Sequence, residues 1–108
     1  MVKSSVEPLD HVFGALADPT RRTLVATLAT GPATVGELAA PVPMSLVAVG
    51  KHLAVLERAG LIKRTRTGRS VRCELEPAAL GLAAGWLDGY RAFWTARLDS
   101  LERHLDAG

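Results

Sequence analysis

Through the N-terminal part of the chain, apolar positions recur at threes and fours. Leu9, Val12, Phe13 and Leu16 fall on one helical face, and Leu24, Val25 and Leu28 form the buried side of a second helix. Between them Asp18 offers an N-cap and Pro19 stands at the first helical position, where a missing N–H costs nothing. Gly31-Pro32 ends the second helix. In "TVGELAAPV", Thr34 and Glu37 have the spacing of a capping box, with Val35, Leu38 and Ala39 facing inward and Pro41 and Pro43 closing the element. Ser45 then caps a fourth helix, in which Val49, Leu53 and Leu56 make the core stripe and Gly60 is the stop.

The period then changes. Val71, Cys73 and Leu75 alternate with Arg72 and Glu74, as in a half-buried strand, and Thr67-Gly68 provides a turn. The segment predicts a two-stranded hairpin with basic sides and tip. A last long helix is expected over residues of about 78–105. The order predicts a mainly α domain with a small β-hairpin, a winged helix-turn-helix of pattern ααααββα. It is read as one domain over 1–108, with the helix-turn-helix at about 34–59 and the wing at about 61–75.

Charge sharpens this picture. The chain carries a formal +2, yet seven cations and one anion lie between Lys51 and Arg72, a local +6 that leaves the remainder at −4. A basic block on one element of a balanced chain is the electrostatic footprint of a nucleic-acid binder; the plainer alternative is a solvated basic hairpin. The opening "MVKSSVEPLD" has no apolar run behind its lysine, so no secretory leader is expected, and no apolar stretch predicts a membrane span. The single cysteine, Cys73, fits a reducing cytoplasm, and its inward strand position reads as a small core residue.

The strings "LADPTRRTLVATLATGPATVGELA", "MSLVAVGKHLAVLERAGLI" and "YRAFWTARLDSLERHL" resemble the ArsR (ArsR/SmtB) family of bacterial winged-helix regulators, from about Leu9 to Leu105. The aromatic "YRAFW" resembles the branch without the familiar metal sites. The resemblance implies a homodimer that binds double-stranded operator DNA, usually as a repressor, and lets go when an effector arrives. Many relatives carry proline at 47 and serine at 50, where this chain has Val47 and Gly50.

With Val49, Leu53 and Leu56 buried, the outward positions of the fourth helix are Leu46, Val47, Gly50, Lys51 and Ala54. Leu46 and Val47 offer only apolar contact, suited to thymine methyls, while Lys51 is suited to guanine or a phosphate. Gly50 costs helix stability and lets the backbone approach DNA closely. Direct readout should therefore be thin, with DNA shape and phosphate contacts contributing much of the specificity. Ser45 has two compatible readings, first as the N-cap of this helix and second as a hydroxyl that meets a phosphate. His52, beside the core stripe, reads either as a packed, hydrogen-bonded histidine or as a DNA contact. Of Arg21 and Arg22, one is expected to pair internally with Glu57 or Asp18 and the other to face the DNA backbone, with Arg22 the DNA candidate. Arg66 and Arg69 flank the turn and are expected at the wing tip, with Lys63, Arg64 and Arg72 further up the strands.

On the last helix, Leu80, Leu87, Trp94 and Leu101 stand seven apart, with Ala83, Tyr90, Leu98 and Leu105 between them and Leu82, Trp86 and Phe93 broadening the stripe. So wide an apolar arc suggests two partners, the chain's own core and a second copy; the plain alternative is a helix folded wholly back on its own domain. Leu87, Tyr90, Trp94, Leu98, Leu101 and Leu105 are the dimerisation candidates. No cofactor is expected. No metal is expected either: the resemblance implies that a metal site would need thiolates on the third helix or paired ligands on the last, and the third helix has no cysteine while Asp99, Glu102, His104 and Asp106 lack that spacing. Three histidines on separate elements, with no phosphate loop or nucleophile elbow, argue against an enzyme. A winged-helix interaction module without specific DNA binding is the alternative; the plain reading face favours it and the +6 segment opposes it.

Overall fold

In the computed structural model, which describes residues 3–107, the chain runs α1 (Lys3–Leu16), α2 (Pro19–Leu28), β1 (Ala33–Thr34), α3 (Val35–Ala39), α4 (Leu46–Arg58), β2 (Ile62–Thr67), β3 (Ser70–Leu75), α5 (Pro77–Asp88) and α6 (Arg91–Ala107). Met1 and Val2, at the head of the segment read for a leader, lie outside the described residues.

Local chemistry sets the helix ends. Asp18 Oδ2 accepts the Arg21 backbone N–H at 3.0 Å, with Pro19 opening α2 behind it. Thr34 Oγ1 accepts from the Glu37 N–H at 3.1 Å, and Glu37 Oε1 accepts from the Thr34 N–H at 2.8 Å, a complete capping box. Ser45 Oγ accepts from the Ala48 N–H at 3.1 Å. At the other end of α4 the Gly60 N–H reaches the Glu57 carbonyl and the Leu61 N–H the Leu56 carbonyl, both at 3.0 Å. That pair of bonds needs a left-handed residue, and Gly60 supplies it with φ +78°.

These caps aim the apolar faces at one core. Val12 and Ala15 of α1, Leu24 and Leu28 of α2, Leu38 of α3, and Val49, Leu53 and Leu56 of α4 meet Leu61, Ile62, Cys73, Ala79 and Ala83 in a single cluster. The helix-turn-helix is thus fixed to the sheet by the stripe read from the sequence.

Three features differ from expectation. The wing belongs to a three-stranded antiparallel sheet of order β1-β3-β2, with Ala33 opposite Cys73 and Thr34 opposite Arg72. An N-cap residue must be extended, and Thr34, at φ −79° and ψ 161°, meets that demand while pairing with β3. The hairpin turn is Gly68-Arg69, not Thr67-Gly68, because Thr67 pairs with Ser70. Gly68 holds the first central position at φ +61°, the place for glycine in a two-residue hairpin loop.

The last helix is the third difference. It is broken in two at Gly89-Tyr90. The Gly89 N–H is shared between the Gly85 and Trp86 carbonyls at 3.3 Å each, and the Tyr90 N–H bonds Leu87 three residues back at 2.9 Å. This is a tighter turn than an α-helix makes, centred where Gly85 and Gly89 hold the helix least firmly. Beyond it every described side chain of α6 is exposed, as is every residue from Ala84 to Asp106. The radius of gyration is 17.9 Å, against about 13 Å for a compact chain of this length.

Candidate nucleic-acid interface

The capped start of α4 presents its plain side to solvent. Leu46 is 59% and Val47 70% exposed; Lys51 and Ser45 are exposed beside them, and Gly50 and Ala54 are half-buried. A Cβ added at Gly50 would meet nothing within 4 Å, so the helix surface there is a shallow gap. Leu46 and the wing-side residues Arg69, Ser70 and Val71 line an open cleft of about 390 Å³, together with Thr34, Val35 and Gly36.

Strand periodicity sorts the wing cations. The register sets Arg64 opposite Cys73 and Arg66 opposite Val71, on the face that carries buried Ile62 and Cys73. Arg64 therefore points at α4, where its Nε and Nη2 donate to Glu57 Oε1 at 3.0 and 2.8 Å. Arg66 lies one step further out and is exposed, and Arg69 sits in the turn itself. Lys63 and Arg72 occupy the other face, with Lys63 across from Glu74.

The expected pairing of Arg21 or Arg22 with Glu57 does not form, because Glu57 is held by Arg64. Both arginines instead turn to the end of α1. Arg21 Nε donates to the Ala15 carbonyl at 2.6 Å and Nη2 to the Gly14 carbonyl at 3.3 Å, while Arg22 Nη1 donates to the Leu16 carbonyl at 2.8 Å. They bond carbonyls at the helix end, where the regular i+4 donors run out; the Gly14 carbonyl also accepts the Ala17 N–H at 3.3 Å. His52 turns the same way: its Nδ1 lies 3.2 Å from Arg21 Nη1 and 3.9 Å from Asp18 Oδ2. Sequence spacing gave no sign of these contacts, which join residues far apart in the chain or run to backbone.

The Arg21 backbone N–H holds the Asp18 carboxyl below the usual carboxylate range, helped by the nearby Arg21 charge. Glu37 is lowered too, first by the Thr34 backbone N–H, then by the Thr34 hydroxyl and by Arg72. Burial pushes the Cys73 thiol up, away from the reactive thiolate form.

The dimerisation candidates share one region. Leu87 is 40%, Trp94 40%, Leu98 61% and Leu105 68% exposed, and Tyr90 and Leu101 are about half exposed. Trp94, Leu98, Leu101 and Leu105 fall at alternating fours and threes along α6, the spacing of one continuous helical seam. Trp86 joins this region to α1, with Phe13 edge-on at 5.7 Å and Tyr90 at 5.1 Å between ring centres. Among the described residues no group of three or more His, Cys, Asp or Glu is placed to hold a metal ion, and no helix is long and apolar enough to cross a membrane.

A helix-turn-helix domain family matches residues 16–65. The HTH-type transcriptional regulator Rv2034 of Mycobacterium tuberculosis is 40% identical over 98 residues, which is 91% of this chain and 89% of that protein. The crystal structure of the ArsR family transcriptional regulator RHA00566 superposes with a TM-score of 0.76 at 40% identity, covering 82% of this chain and 92% of that one. The chain belongs to the ArsR family. Another relative, the transcriptional repressor SdpR of Bacillus subtilis, is 30% identical over 73% of this chain and 88% of its own length. As an ArsR-family member the chain is a DNA-binding transcriptional regulator with a winged helix-turn-helix fold, and not an enzyme.

Proposed function

We propose that this ArsR-family chain is a cytoplasmic repressor that binds a palindromic operator as a homodimer. The observation that carries the reading is the exposure of Leu46, Val47 and Lys51 around half-buried Gly50, with Arg69 lining an open cleft shared with Leu46 and Arg66 exposed on the same wing. In this reading α4 enters the major groove from its Ser45 end. Leu46 and Val47 meet thymine methyls, Lys51 reaches a guanine edge or phosphate, and Gly50 lets the backbone come close. The wing arginines follow the adjacent phosphates or minor groove, and with so few polar groups on α4, DNA shape supplies much of the specificity. Arg22 commits one Nη1 donor to the Leu16 carbonyl and meets the DNA backbone through its remaining N–H groups.

Two copies clasp through α6, with Leu87 and Tyr90 at its root and α1 alongside. A helix with every described side chain exposed gains little from its own chain, and isolated helices of this length are marginal in water. A two-fold pairing would set the two α4 helices about 34 Å apart, the spacing of successive major-groove faces.

The test is a titration against duplex from the region upstream of the chain's own gene, at two salt concentrations. Specific retention that weakens steeply with salt is expected. Weak, equal binding to every duplex would favour the protein-interaction module instead, a reading that the exposed Leu46 and Val47 would also suit.

A further inference from the structure

The reading helix must be aimed as well as built, and the Arg21 guanidinium is placed to aim it. Its Nε and Nη2 are committed to the Ala15 and Gly14 carbonyls at the end of α1, at 2.6 and 3.3 Å. A guanidinium is a rigid planar fork, so fixing two donors on α1 fixes the direction of the third. That third donor, on Nη1, meets His52 Nδ1 at 3.2 Å, in the middle of α4. Arg21 can only donate, so Nδ1 accepts and the neutral ring carries its proton on Nε2. Asp18 steadies the same corner by taking the Arg21 backbone N–H at 3.0 Å; its Oδ2, 3.9 Å from Nδ1, is itself an acceptor and makes no bond to the unprotonated nitrogen. On the far side α1 carries Phe13, packed on Trp86 of α5 in the region proposed to meet the second copy.

We infer that Arg21 and His52 are positioning residues: Arg21 locks the rotation of α4 relative to α1, and His52 serves through Nδ1 without touching DNA. The inference rests on the operator-binding reading. It follows that the tie sets how two α4 helices are spaced in the dimer, and so acts on a complete operator more than on one half of it.

Two substitutions separate the nitrogens of the ring. His52→Asn puts an amide oxygen where Nδ1 lies and keeps an acceptor for Arg21, whereas His52→Gln puts its amide near Nε2 and leaves Arg21 unmet. Affinity is measured for a two-half-site operator and for an isolated half-site, with thermal melting alongside. The expected result is near wild-type binding for His52→Asn. For His52→Gln, a loss of about tenfold or more on the full operator is expected, the scale of one charged hydrogen bond, with the half-site affinity kept. General weakening of the helix would give the reverse order, since asparagine is the poorer helix former. A loss in His52→Asn as large as that in His52→Gln overturns the inference, as does wild-type behaviour of both on the full operator, or equal loss on half-site and full site. If the wild-type chain itself binds no operator, the DNA reading fails and this one with it. A second measurement needs neither variant nor DNA: the imidazole 15N shifts of His52 in the wild-type protein at mildly alkaline pH should show the Nε2–H tautomer. A proton on Nδ1 overturns the tie.

Discussion

Replacing Gly50 by alanine should move stability and DNA affinity in opposite directions. Gly50 lies inside α4, where glycine costs roughly 0.5–1 kcal/mol relative to alanine. The new methyl would meet no atom within 4 Å, so no clash offsets the gain. The free protein should therefore be stabilised by about 0.5–1 kcal/mol, a rise in Tm of roughly 2–8 °C for a domain of this size. On DNA the same methyl stands in the gap between Leu46, Val47 and Lys51 that the backbone uses for close approach. It holds the helix off the base edges and should weaken operator binding by about tenfold or more, the worth of roughly one good base pairing by a side chain. Calorimetric melting at fixed protein concentration and a binding titration at fixed salt read the two effects. A variant that is more stable and binds as tightly as wild type would show that Gly50 does not face DNA. A less stable variant would refute the packing of α4 itself.

Truncating Leu98 and Leu101 together to alanine should weaken the dimer. Full burial of a leucine contributes about 1.5–3 kcal/mol, and 61% and 54% of these residues are open, so four truncated side chains cost about 4 kcal/mol, roughly a thousandfold in dimer Kd by sedimentation equilibrium. An unchanged dimer Kd would remove α6 from the interface. Replacing Arg66 and Arg69 by alanine should lower affinity for every duplex and flatten the slope of log K against log salt by up to about 0.9 for each phosphate that is no longer neutralised. An unchanged slope would take the wing off the DNA. Asp18→Asn should be less stable than wild type near neutral pH, because a carboxyl whose folded pKa lies below its unfolded one adds stability above the unfolded pKa and loses it as pH falls through the folded one. The gap should close on acidification in a pH series of thermal melts; a gap that stays constant would mean that the cap works without its charge.

Much of the fold is legible because its decisive signals are local. Asp18 before Pro19, Thr34 three before Glu37, and Ser45 ahead of the 49, 53, 56 stripe each act over one helical turn, and each forms its bond. Strand β1 is not legible: two residues carry no period, and Ala33-Thr34 is a strand only because β3 lies beside it. The break at Gly89-Tyr90 hides for the opposite reason. The seven-residue recurrence of Leu80, Leu87, Trp94 and Leu101 runs straight through it, and only the Gly85/Gly89 pair hints at a weak point. Of the candidate site, the exposed face of α4 follows from the core stripe. The roles of the cations do not. Whether an arginine meets DNA or its own fold depends on register for Arg64, which falls opposite Cys73 and turns to Glu57, and on distant carbonyls for Arg21 and Arg22.

Hydroxyl-radical and methylation footprinting of the wild-type protein on its upstream duplex tests the central claim most directly. Two symmetry-related major-groove protections, centred one helical turn or a whole multiple of it apart and each flanked by a protected backbone stretch from a wing, are the predicted pattern. A single unpaired protection, or protection spread evenly along the duplex, would contradict the paired, two-fold engagement of α4.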